Sequence, residues 1–438
     1  MAIADLPRAD AFMLRRCSVP KAFLAPGIAD RDGDIVLCDV QVAAGKIVGV
    51  TRSDAGSGIL ASCPEVDMAR AMLWPCFTDL HCHLDKGQIV DRAPACDGTF
   101  LAALDSVAVD RAYWDRNDTQ FRMDFGLRCA FAHGCDAVRT HLDSDHATAL
   151  ASWEAFADLR DQWAGRIALQ AVSLVQVGAL ADPALARAVA ERTATFGGVL
   201  GASTRQVPDL PAIIDHLFLL AEERGLDLDF HVDETSDPAA TALLLIAQTA
   251  IRRRFGGRIV VGHCCSLAVQ DEPLVDWTLD AVAQAGLSVV ILPVLNLQLQ
   301  DRHPGRTPRW RGITLIHEMR ERGIPVAIGG DNVRDPLHPH GDHDMLAVFR
   351  EALRIGHLDA PVGDWPASVT GVPRAMMGLP ARQIGAGHPA DFILFSARTY
   401  SELLARPQAD RVVVRDGQQS TARLPDFSAL DVLLPTHR

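Results

Sequence analysis

From about residue 72 to residue 380, short runs of apolar residues alternate with longer segments of helical periodicity. The eight runs are AMLWPCF, CDAVRTHLD, RIALQAVSLV, GGVLGAS, LDLDFHVD, RIVVGHC, LSVVILPV and IPVAIGGD. The segment 209–225 is typical of the helices between them, because Asp209 can cap its start and Gly225 ends it. Eight buried strands that alternate with helices predict an α/β fold of the (β/α)8 TIM-barrel type. A doubly wound open sheet is the rival architecture, but no GxGxxG follows the first strand.

The two ends of the chain have a different pattern. Residues 34–50 form two apolar runs broken at Gly45, and residues 388–396 and 410–418 are further short runs that end in turn residues. Such runs are typical of β-strands and hairpins. They predict one small β domain built from both termini, residues 1–74 plus 381–438, beside a barrel at 75–380.

Composition and charge narrow the class of protein. The chain has 438 residues, of which 48% are hydrophobic and 22% charged, as in a soluble globular protein. Its net charge of −13 argues against a nucleic-acid partner, because phosphate binding needs basic patches. The longest apolar stretch, LSVVILPVLNL, is too short to span a bilayer, and the start MAIADLPRAD does not resemble a signal peptide. Ten cysteines at scattered spacings indicate reduced thiols, so we expect a cytoplasmic protein. Because no stretch is long enough to span a bilayer, we expect no membrane partner.

Polar residues that can carry chemistry follow five of the predicted strands. In chain order they are His81, His83, Asp143, His231, Asp233, Glu234, His263, Asp331 and Asn332. The carboxyl ends of all strands of a (β/α)8 barrel lie at one face, where active sites are found. Alternate strand residues point the same way, so His81 and His83 face the lumen while Cys82 points outward. With His231 and Asp331 they give three imidazoles and one carboxylate, which suits one Zn²⁺ or Fe²⁺ ion with a position open for water.

Eight short segments, taken together and in order, carry a family resemblance. They are FTDLHCHLDKG, VRTHLD, LQAVSLVQVG, DFHVDETSD, VVGHCC, PVLNLQLQDR, RWRGIT and GGDNVRDP. In this order they resemble the cytosine deaminase branch of the amidohydrolase superfamily over about residues 75 to 375. The motif HxH is weak by itself, whereas HxDE on the fifth strand and the ordered set are specific. The resemblance implies a metal-dependent hydrolase barrel with a small composite β-sandwich domain.

The resemblance also implies a role for individual residues. Four positions match the metal ligands of that branch: His81, His83, His231 and Asp331. The glutamate of HxDE corresponds to Glu234, which would shuttle a proton to the ring nitrogen of the substrate. The sixth-strand histidine corresponds to His263, which would orient and polarise the attacking water or the substrate. Gln176 falls where the family reads the amide edge of the ring.

The chemistry of hydrolytic deamination agrees with these roles. Removing an amino group from a heterocycle needs a nucleophile at neutral pH, and a bound metal lowers the pKa of water to about 7. The ring nitrogen must gain a proton as the tetrahedral centre forms, which a carboxyl group can supply. Asp331 could take the proton from the metal-activated water and deliver it to the departing ammonia. We therefore predict a metal-dependent aminohydrolase with Glu234, His263 and Asp331 as its catalytic residues.

Some of these positions also have simpler structural readings. Gln176 could cap backbone groups at the end of a strand, and His263 could be a histidine of the core. We interpret Asp143 and Asp233 as structural partners rather than ligands. The segment HPHGDHD has no barrel-strand context and is interpreted as a loop or a pocket wall. Its histidines are His338, His340 and His343.

The lysine content bears on the number of metal ions. Hydantoinase- and dihydroorotase-like relatives hold two metals that are bridged by a carboxylated lysine on the fourth strand. The fourth predicted strand, GGVLGAS, has no lysine, and Lys86 is the only lysine of the predicted barrel. We therefore expect one divalent ion per subunit.

Three positions depart from the cytosine deaminase pattern. Where that pattern has a second aspartate, a histidine and a tryptophan, this chain has Asn332, Gly330 and Leu337. Asparagine donates as well as accepts hydrogen bonds, so Asn332, the second predicted substrate-binding residue beside Gln176, implies a different contact with the ring edge. The missing indole widens the pocket wall.

These departures leave the reaction type unchanged and the substrate open. Cytosine is the leading hypothesis, and the alternatives are isocytosine, a triazine, a creatinine-like ring or another cyclic amidine or amide. A hypothesis of another class is a catalytically inactive binding homologue, although none of the four metal positions nor Glu234 is missing. In each case the partner is a small heterocyclic molecule, and a homo-oligomer is compatible with such a barrel.

Overall fold

The structure is a computed structural model that describes residues 6–28, 33–53 and 63–434. The strands are β1 (Ala11–Pro20), β2 (Ile35–Ala43), β3 (Lys46–Arg52), β4 (Glu65–Asp67), β5 (Met72–Pro75), β6 (Phe77–Cys82), β7 (Cys135–Asp143), β8 (Ala168–Leu174), β9 (Leu200–Ser203), β10 (Leu228–Val232), β11 (Ile259–His263), β12 (Ser288–Ile291), β13 (Val326–Ile328), β14 (Phe392–Phe395), β15 (Val412–Arg415) and β16 (Gln418–Gln419). The helices are α1 (Phe100–Asp110), α2 (Arg116–His133), α3 (Ala149–Gln162), α4 (Pro183–Thr195), α5 (Leu210–Arg224), α6 (Ala242–Arg253), α7 (Glu272–Ala285), α8 (Pro293–Leu299), α9 (Ile316–Glu321), α10 (Met345–Ile355), α11 (Gly371–Met376) and α12 (Tyr400–Ala405). None of these helices, within the three described ranges, combines the length and apolarity that crossing a bilayer requires. The first five residues, on which the expectation about a signal peptide partly rests, lie outside the described residues.

The chain divides into two compact units, and the first contains strands from both ends of the sequence. It comprises the described residues up to Thr78 together with Phe131–Asp136 and Met345–Leu424. Its eight-stranded sheet has the order β16-β15-β14-β5-β1-β2-β3, and β4 pairs with β1. The hairpin predicted around Gly45 is confirmed, since β2 and β3 pair antiparallel on either side of it. The division predicted at residues 1–74 plus 381–438 stays a prediction.

The second unit contains the parallel strands. It comprises Asp79–Ala130, Ala137–Asp344 and the described residues from Pro425 onward. Strands β9 to β13 form one sheet of parallel neighbours, and β6, β7 and β8 form a second sheet in that order. Single parallel bridges join Val172 of β8 to Val199, and Cys82 of β6 to Asp331. The α/β class with parallel sheets, predicted from the alternating pattern, is confirmed.

The first predicted strand, AMLWPCF, is wrong in its extent. Met72–Pro75 form β5, which pairs antiparallel with β14, and the strand that carries the HxH motif begins only at Phe77. Pro75 has no N–H to donate to a neighbouring strand. It therefore lies at the point where the hydrogen bonding of β5 ends, before that of β6 begins. The other seven predicted strands are present with adjusted ends. For example, Pro293 starts α8 rather than ending β12.

Helix α5 ends where Gly225 predicts, and α7 also ends at a glycine. Gly225 and Gly286 follow them with φ values of 63° and 67°. This left-handed conformation carries no steric penalty in a residue without Cβ. The start of α5 differs from the prediction, because Asp209 has a φ of 60° and makes no side-chain capping hydrogen bond.

Gly201 in β9 lies where neighbouring strands leave no space for a side chain. An added Cβ would stand 2.2 Å from the carbonyl oxygen of Asp229 and 2.6 Å from a methyl carbon of Val172. We expect Gly201→Ala to lower the free energy of unfolding by about 1–3 kcal/mol, the usual cost of overpacking, and to lower the melting temperature. Gly256→Ala is the matched control, because no heavy atom lies within 4 Å of its added Cβ. Equal melting temperatures for the two variants would contradict this account.

Candidate active site and metal centre

Four side chains from three strand ends converge in the second unit. His81 and His83 lie at the end of β6, His231 lies on β10, and Asp331 follows β13. The Nε2 atom of His231 is 3.1 Å from that of His81 and 3.3 Å from that of His83. The Oδ1 atom of Asp331 is 3.2 Å from Nε2 of His83 and 3.9 Å from Nε2 of His81. The structure therefore brings the four predicted metal ligands together.

This group of side chains suits a divalent cation. Burial lowers the pKa of all three histidines, so their imidazoles are neutral and each offers a lone pair. Bonds of roughly 2.0–2.1 Å to a tetrahedral ion place ligand nitrogens about 3.4 Å apart, close to the observed separations. Both carboxylate oxygens of Asp331 are buried, and neither has a hydrogen-bond partner in the described part of the chain. A buried carboxylate in that position is costly unless a cation pairs with it.

The electrostatics of Asp331 agree with this fit. Burial first, and the charge of Glu234 second, raise the pKa of Asp331 well above its usual value, while Lys86 acts in the opposite direction. A bound divalent cation would be the largest local charge and would reverse that shift. The raised pKa of Asp331 therefore agrees with a site in which a cation takes the place of a proton on this carboxyl group.

Several residues at the strand ends adopt left-handed backbone conformations. The φ angle is 48° at Asp233, 66° at His263, 52° at Cys264 and 64° at Asp331. Residues other than glycine seldom adopt this region, and such strain collects at functional sites. The N–H of Asp331 donates to the carbonyl oxygen of His81 at 2.7 Å. Backbone contacts between strand ends thus fix the point from which the Asp331 carboxylate projects.

The three predicted catalytic groups lie next to one another. Nε2 of His263 is 3.9 Å from Oδ2 of Asp331, and Nδ1 of His263 is 3.6 Å from Oε1 of Glu234. The side chain of Glu234 is 13% exposed, whereas those of His263 and Asp331 are 1% exposed. An imidazole between two carboxyl groups is an arrangement suited to moving protons.

The two predicted substrate-binding residues differ in their surroundings. Gln176 is exposed and precedes a short 3-10 helix, Val177–Ala181, with which its side chain makes no capping hydrogen bond. This observation argues against the capping role considered for Gln176. Asn332 is buried, and its Nδ2 donates to Oδ2 of Asp335 at 2.5 Å. The amide of Asn332 therefore already makes one hydrogen bond within its own loop. The contacts of Gln176 and Asn332 with a substrate stay predictions.

Asp143 and Asp233 are occupied by structural partners. Asp143 accepts hydrogen bonds from Lys86 at 2.9 Å and from Arg111 at 2.7 Å. Although burial acts in the opposite direction, these two cations hold the pKa of Asp143 below its usual value. Asp233 accepts from two backbone N–H groups at the start of α6, at 3.2 and 3.0 Å. Both arrangements agree with the structural interpretation made from the sequence.

Sequence reasoning missed His141 and Asp229, which lie beside the ligand set. The ring centroid of His141 is 4.0 Å from that of His81, and neither ring nitrogen of His141 has a hydrogen-bond partner among the described residues. One ligand atom each from His81, His141 and Asp229 lie within 4.8 Å of one another. Asp229 also accepts from Arg139 at 2.8 Å. The two-residue alternation of a strand could have found Asp229, since it lies two positions before His231.

The histidines of the 338–343 segment have separate surroundings. Nδ1 of His338 donates to the carbonyl oxygen of Asn332 at 2.8 Å, which fastens one part of this loop to another. His343 is buried and shares a cluster with Asp79 and Cys82, in which the potential ligand atoms lie within 4.8 Å of one another. Residues 338–344 contain neither helix nor strand, so the interpretation of this segment as a loop is confirmed, and a role as a pocket wall stays a prediction.

Comparison with known proteins gives the family. Residues 131–421 match the amidohydrolase family. A pterin deaminase of Rhizobium rhizogenes (strain K84) is 44% identical over 430 residues, which cover 98% of this chain and 98% of the relative. This chain belongs to the amidohydrolase family. The resemblance predicted from the motifs is confirmed, and with it the predicted class of a metal-dependent hydrolase.

Two solved structures share the fold of this amidohydrolase. The first is 5-methylcytosine deaminase from Klebsiella pneumoniae liganded with phosphonocytosine, with a TM-score of 0.80 and 22% identity over 95% of this chain and 99% of the other. The second is N-isopropylammelide isopropylaminohydrolase from Burkholderia multivorans, with a TM-score of 0.74 and 24% identity over 94% of this chain and 98% of the other. At such identities the likeness establishes the fold alone.

Proposed function

We propose that this amidohydrolase removes the exocyclic amino group of a pterin ring by hydrolysis and releases ammonia. The observation that carries the proposal is the 44% identity, over 98% of both chains, to an enzyme named pterin deaminase. The amino-bearing carbon of a pterin is bonded to a ring nitrogen, as it is in cytosine. Water adds to this carbon, the bond to the amino group breaks, and a carbonyl group replaces the amine.

One departure from the cytosine deaminase pattern agrees with a bicyclic substrate. Leu337 occupies the place of a tryptophan in that pattern, and it packs in a buried cluster with Ala103 of α1 and with Leu295 and Leu299 of α8. Leucine is smaller than an indole, so this replacement is in the direction that a larger, fused-ring substrate requires. Cytosine is the second candidate substrate, since the ordered motifs resemble those of cytosine deaminases.

Each side chain of the candidate site has a distinct role in the proposed reaction. Four of them would hold one divalent ion, Zn²⁺ or Fe²⁺: His81, His83, His231 and Asp331. Bound there, the ion supplies the Lewis acidity that lowers the pKa of an attacking water. Glu234, the most exposed of the three acid–base groups, gives a proton to the ring nitrogen. His263 orients the water, and Asp331 accepts a proton and passes it to the leaving amine.

The proposal also includes a closed barrel and a composite β-sandwich, as expected for such a hydrolase. The bridges Val172–Val199 and Cys82–Asp331 support closure of the eight parallel strands into one (β/α)8 barrel. The sheet that contains strands from both ends of the chain supports the predicted composite β-sandwich. One ion per subunit, a cytoplasmic location and a homo-oligomeric state complete the proposal.

An ammonia-release assay over a panel of amino-heterocycles tests the substrate. We expect kcat/KM for pterin to exceed that for cytosine, isocytosine and amino-triazines by at least about tenfold, or about 1.4 kcal/mol of discrimination in the transition state. The Glu234→Gln variant corrects for ammonia that does not come from catalysis. A preference for cytosine would assign the enzyme to a single-ring substrate. Metal-replete protein that releases no ammonia from any compound would favour a binding protein.

A further inference from the structure

Asn296 makes a buried hydrogen bond to the catalytic histidine proposed above. Its Oδ1 atom is 3.0 Å from Nδ1 of His263, and the two residues are 2% and 1% exposed. Asn296 lies on α8, which follows β12, whereas His263 is the last residue of β11. Neither the family motifs considered above nor the proposed mechanism gives Asn296 a task.

The direction of the Asn296 side chain follows from the packing of α8. Leu295 and Leu299 on this helix are buried against Ala103 of α1 and against Leu337. Asn296 is the residue of α8 that bonds His263, so the apolar contacts fix the helix while the amide faces the site. A polar side chain that is buried at such a position has to be hydrogen-bonded, and His263 provides the partner.

This contact determines which nitrogen of His263 carries the proton. A neutral imidazole has one N–H donor and one lone pair. The Oδ1 atom of Asn296 only accepts, so in a neutral His263 this contact favours the hydrogen on Nδ1 and the lone pair on Nε2. Nε2 faces Oδ2 of Asp331 at 3.9 Å and has no hydrogen-bond partner in the residues that the structure describes.

We propose that Asn296 is a positioning residue that fixes His263 in the Nδ1–H tautomer, with the Nε2 lone pair directed at the reacting water. The inference rests on the proposed function for its catalytic meaning, but the tautomer itself is a property of the protein without substrate. A histidine held in the wrong tautomer can neither accept a proton nor orient water from Nε2.

Two substitutions separate the tautomer from simple packing. In Asn296→Asp, a carboxylate keeps the acceptor opposite Nδ1, as in a histidine–aspartate pair. In Asn296→Leu, the branched shape is kept and the acceptor is lost. Gln298→Leu, on the same helix, is the control for replacing a polar residue of α8. Nitrogen-15 chemical shifts of the histidine rings report the tautomer directly, and the signal of His263 is assigned by its loss in His263→Asn.

We expect wild type and Asn296→Asp to show His263 protonated at Nδ1, and Asn296→Leu to lose that signature. On the substrate that wild type turns over, kcat should fall on the order of 10²-fold in Asn296→Leu, with KM changed less than threefold, and should stay within about tenfold in Asn296→Asp. Metal content should be unchanged in both, whereas the melting temperature should fall in Asn296→Leu, because the buried Nδ1–H of His263 loses its acceptor. If Asn296→Leu does not fold, Asn296→Ala takes its place.

Two results would overturn the inference. One is an unchanged His263 tautomer in Asn296→Leu, and the other is an equal loss of kcat in the leucine and aspartate variants, which would assign Asn296 a packing role. The spectra decide the question even if wild type deaminates none of the panel. A failure of the proposed function is therefore distinguishable from a failure of this inference.

Discussion

Replacing His231 with alanine is expected to bring the metal content of purified protein well below one ion per chain and to abolish turnover. The Nε2 atom of His231 lies 3.1 and 3.3 Å from the corresponding atoms of His81 and His83, so its removal takes away the shared partner of the set. Without the ion, the attacking water loses its lowered pKa. We expect kcat/KM to fall by at least about 10³-fold, or about 4 kcal/mol. Elemental analysis and ammonia release on the same sample measure both quantities.

The control for this experiment is a histidine outside the cluster. His216 lies on α5, is partly exposed and makes no contact with the ligand set in the described structure, so His216→Ala should keep both metal and activity. Chelator-treated wild type should also lose activity and recover it with one equivalent of Zn²⁺ or Fe²⁺. Full activity in metal-free protein would contradict the metal site, and two ions per chain at saturation would contradict the expectation drawn from the missing fourth-strand lysine.

The sequence predicts the ligand set because strand geometry is local and periodic. In HxH, the two-residue alternation alone places His81 and His83 on one side of β6, and the structure has both near His231. Parallel strands expose their carboxyl ends at a common edge, which brings Asp331 to the same place from far along the chain. The same reasoning applies to Asp229, whose side chain lies on the same face of β10 as that of His231.

The rest of the site depends on packing that the sequence does not encode locally. Asn296 lies on a seven-residue helix, and contacts with α1 decide which of its side chains face the site. Aspartate and histidine adopt the left-handed region more often than most residues other than glycine, but this tendency is too weak to predict that backbone at His263 and Asp331. The break between β5 and β6 has a signal, Pro75, but an unbroken apolar run conceals it.

Replacing Glu234 with glutamine is expected to leave the metal in place while nearly abolishing turnover. Glu234 follows the proposed metal ligand His231 by three positions, and its Oε1 is 3.6 Å from Nδ1 of His263. Its Oε1 is buried and has no hydrogen-bond partner within the described residues, so no protein donor competes for this oxygen. Glutamine has nearly the same shape and can donate a hydrogen bond, but its amide is not acidic enough to transfer a proton to a ring nitrogen. We expect kcat to fall by about 10²–10⁴-fold, the usual contribution of general acid–base catalysis.

The pairing of metal content with turnover makes this substitution informative. Glu223→Gln on the exposed side of α5 is the matched control, since its side chain is 53% exposed and lies outside the site, and it should alter neither quantity. A Glu234→Gln protein that loses both metal and activity would indicate that Glu234 supports the ligand set rather than the proton transfer. If Glu234→Gln binds one ion and turns over substrate as fast as wild type, Glu234 has no part in the mechanism. Asp331 or His263 would then have to protonate the ring nitrogen. Because their side chains are only 1% exposed, that outcome would require the substrate to lie deeper in the site than Glu234 does.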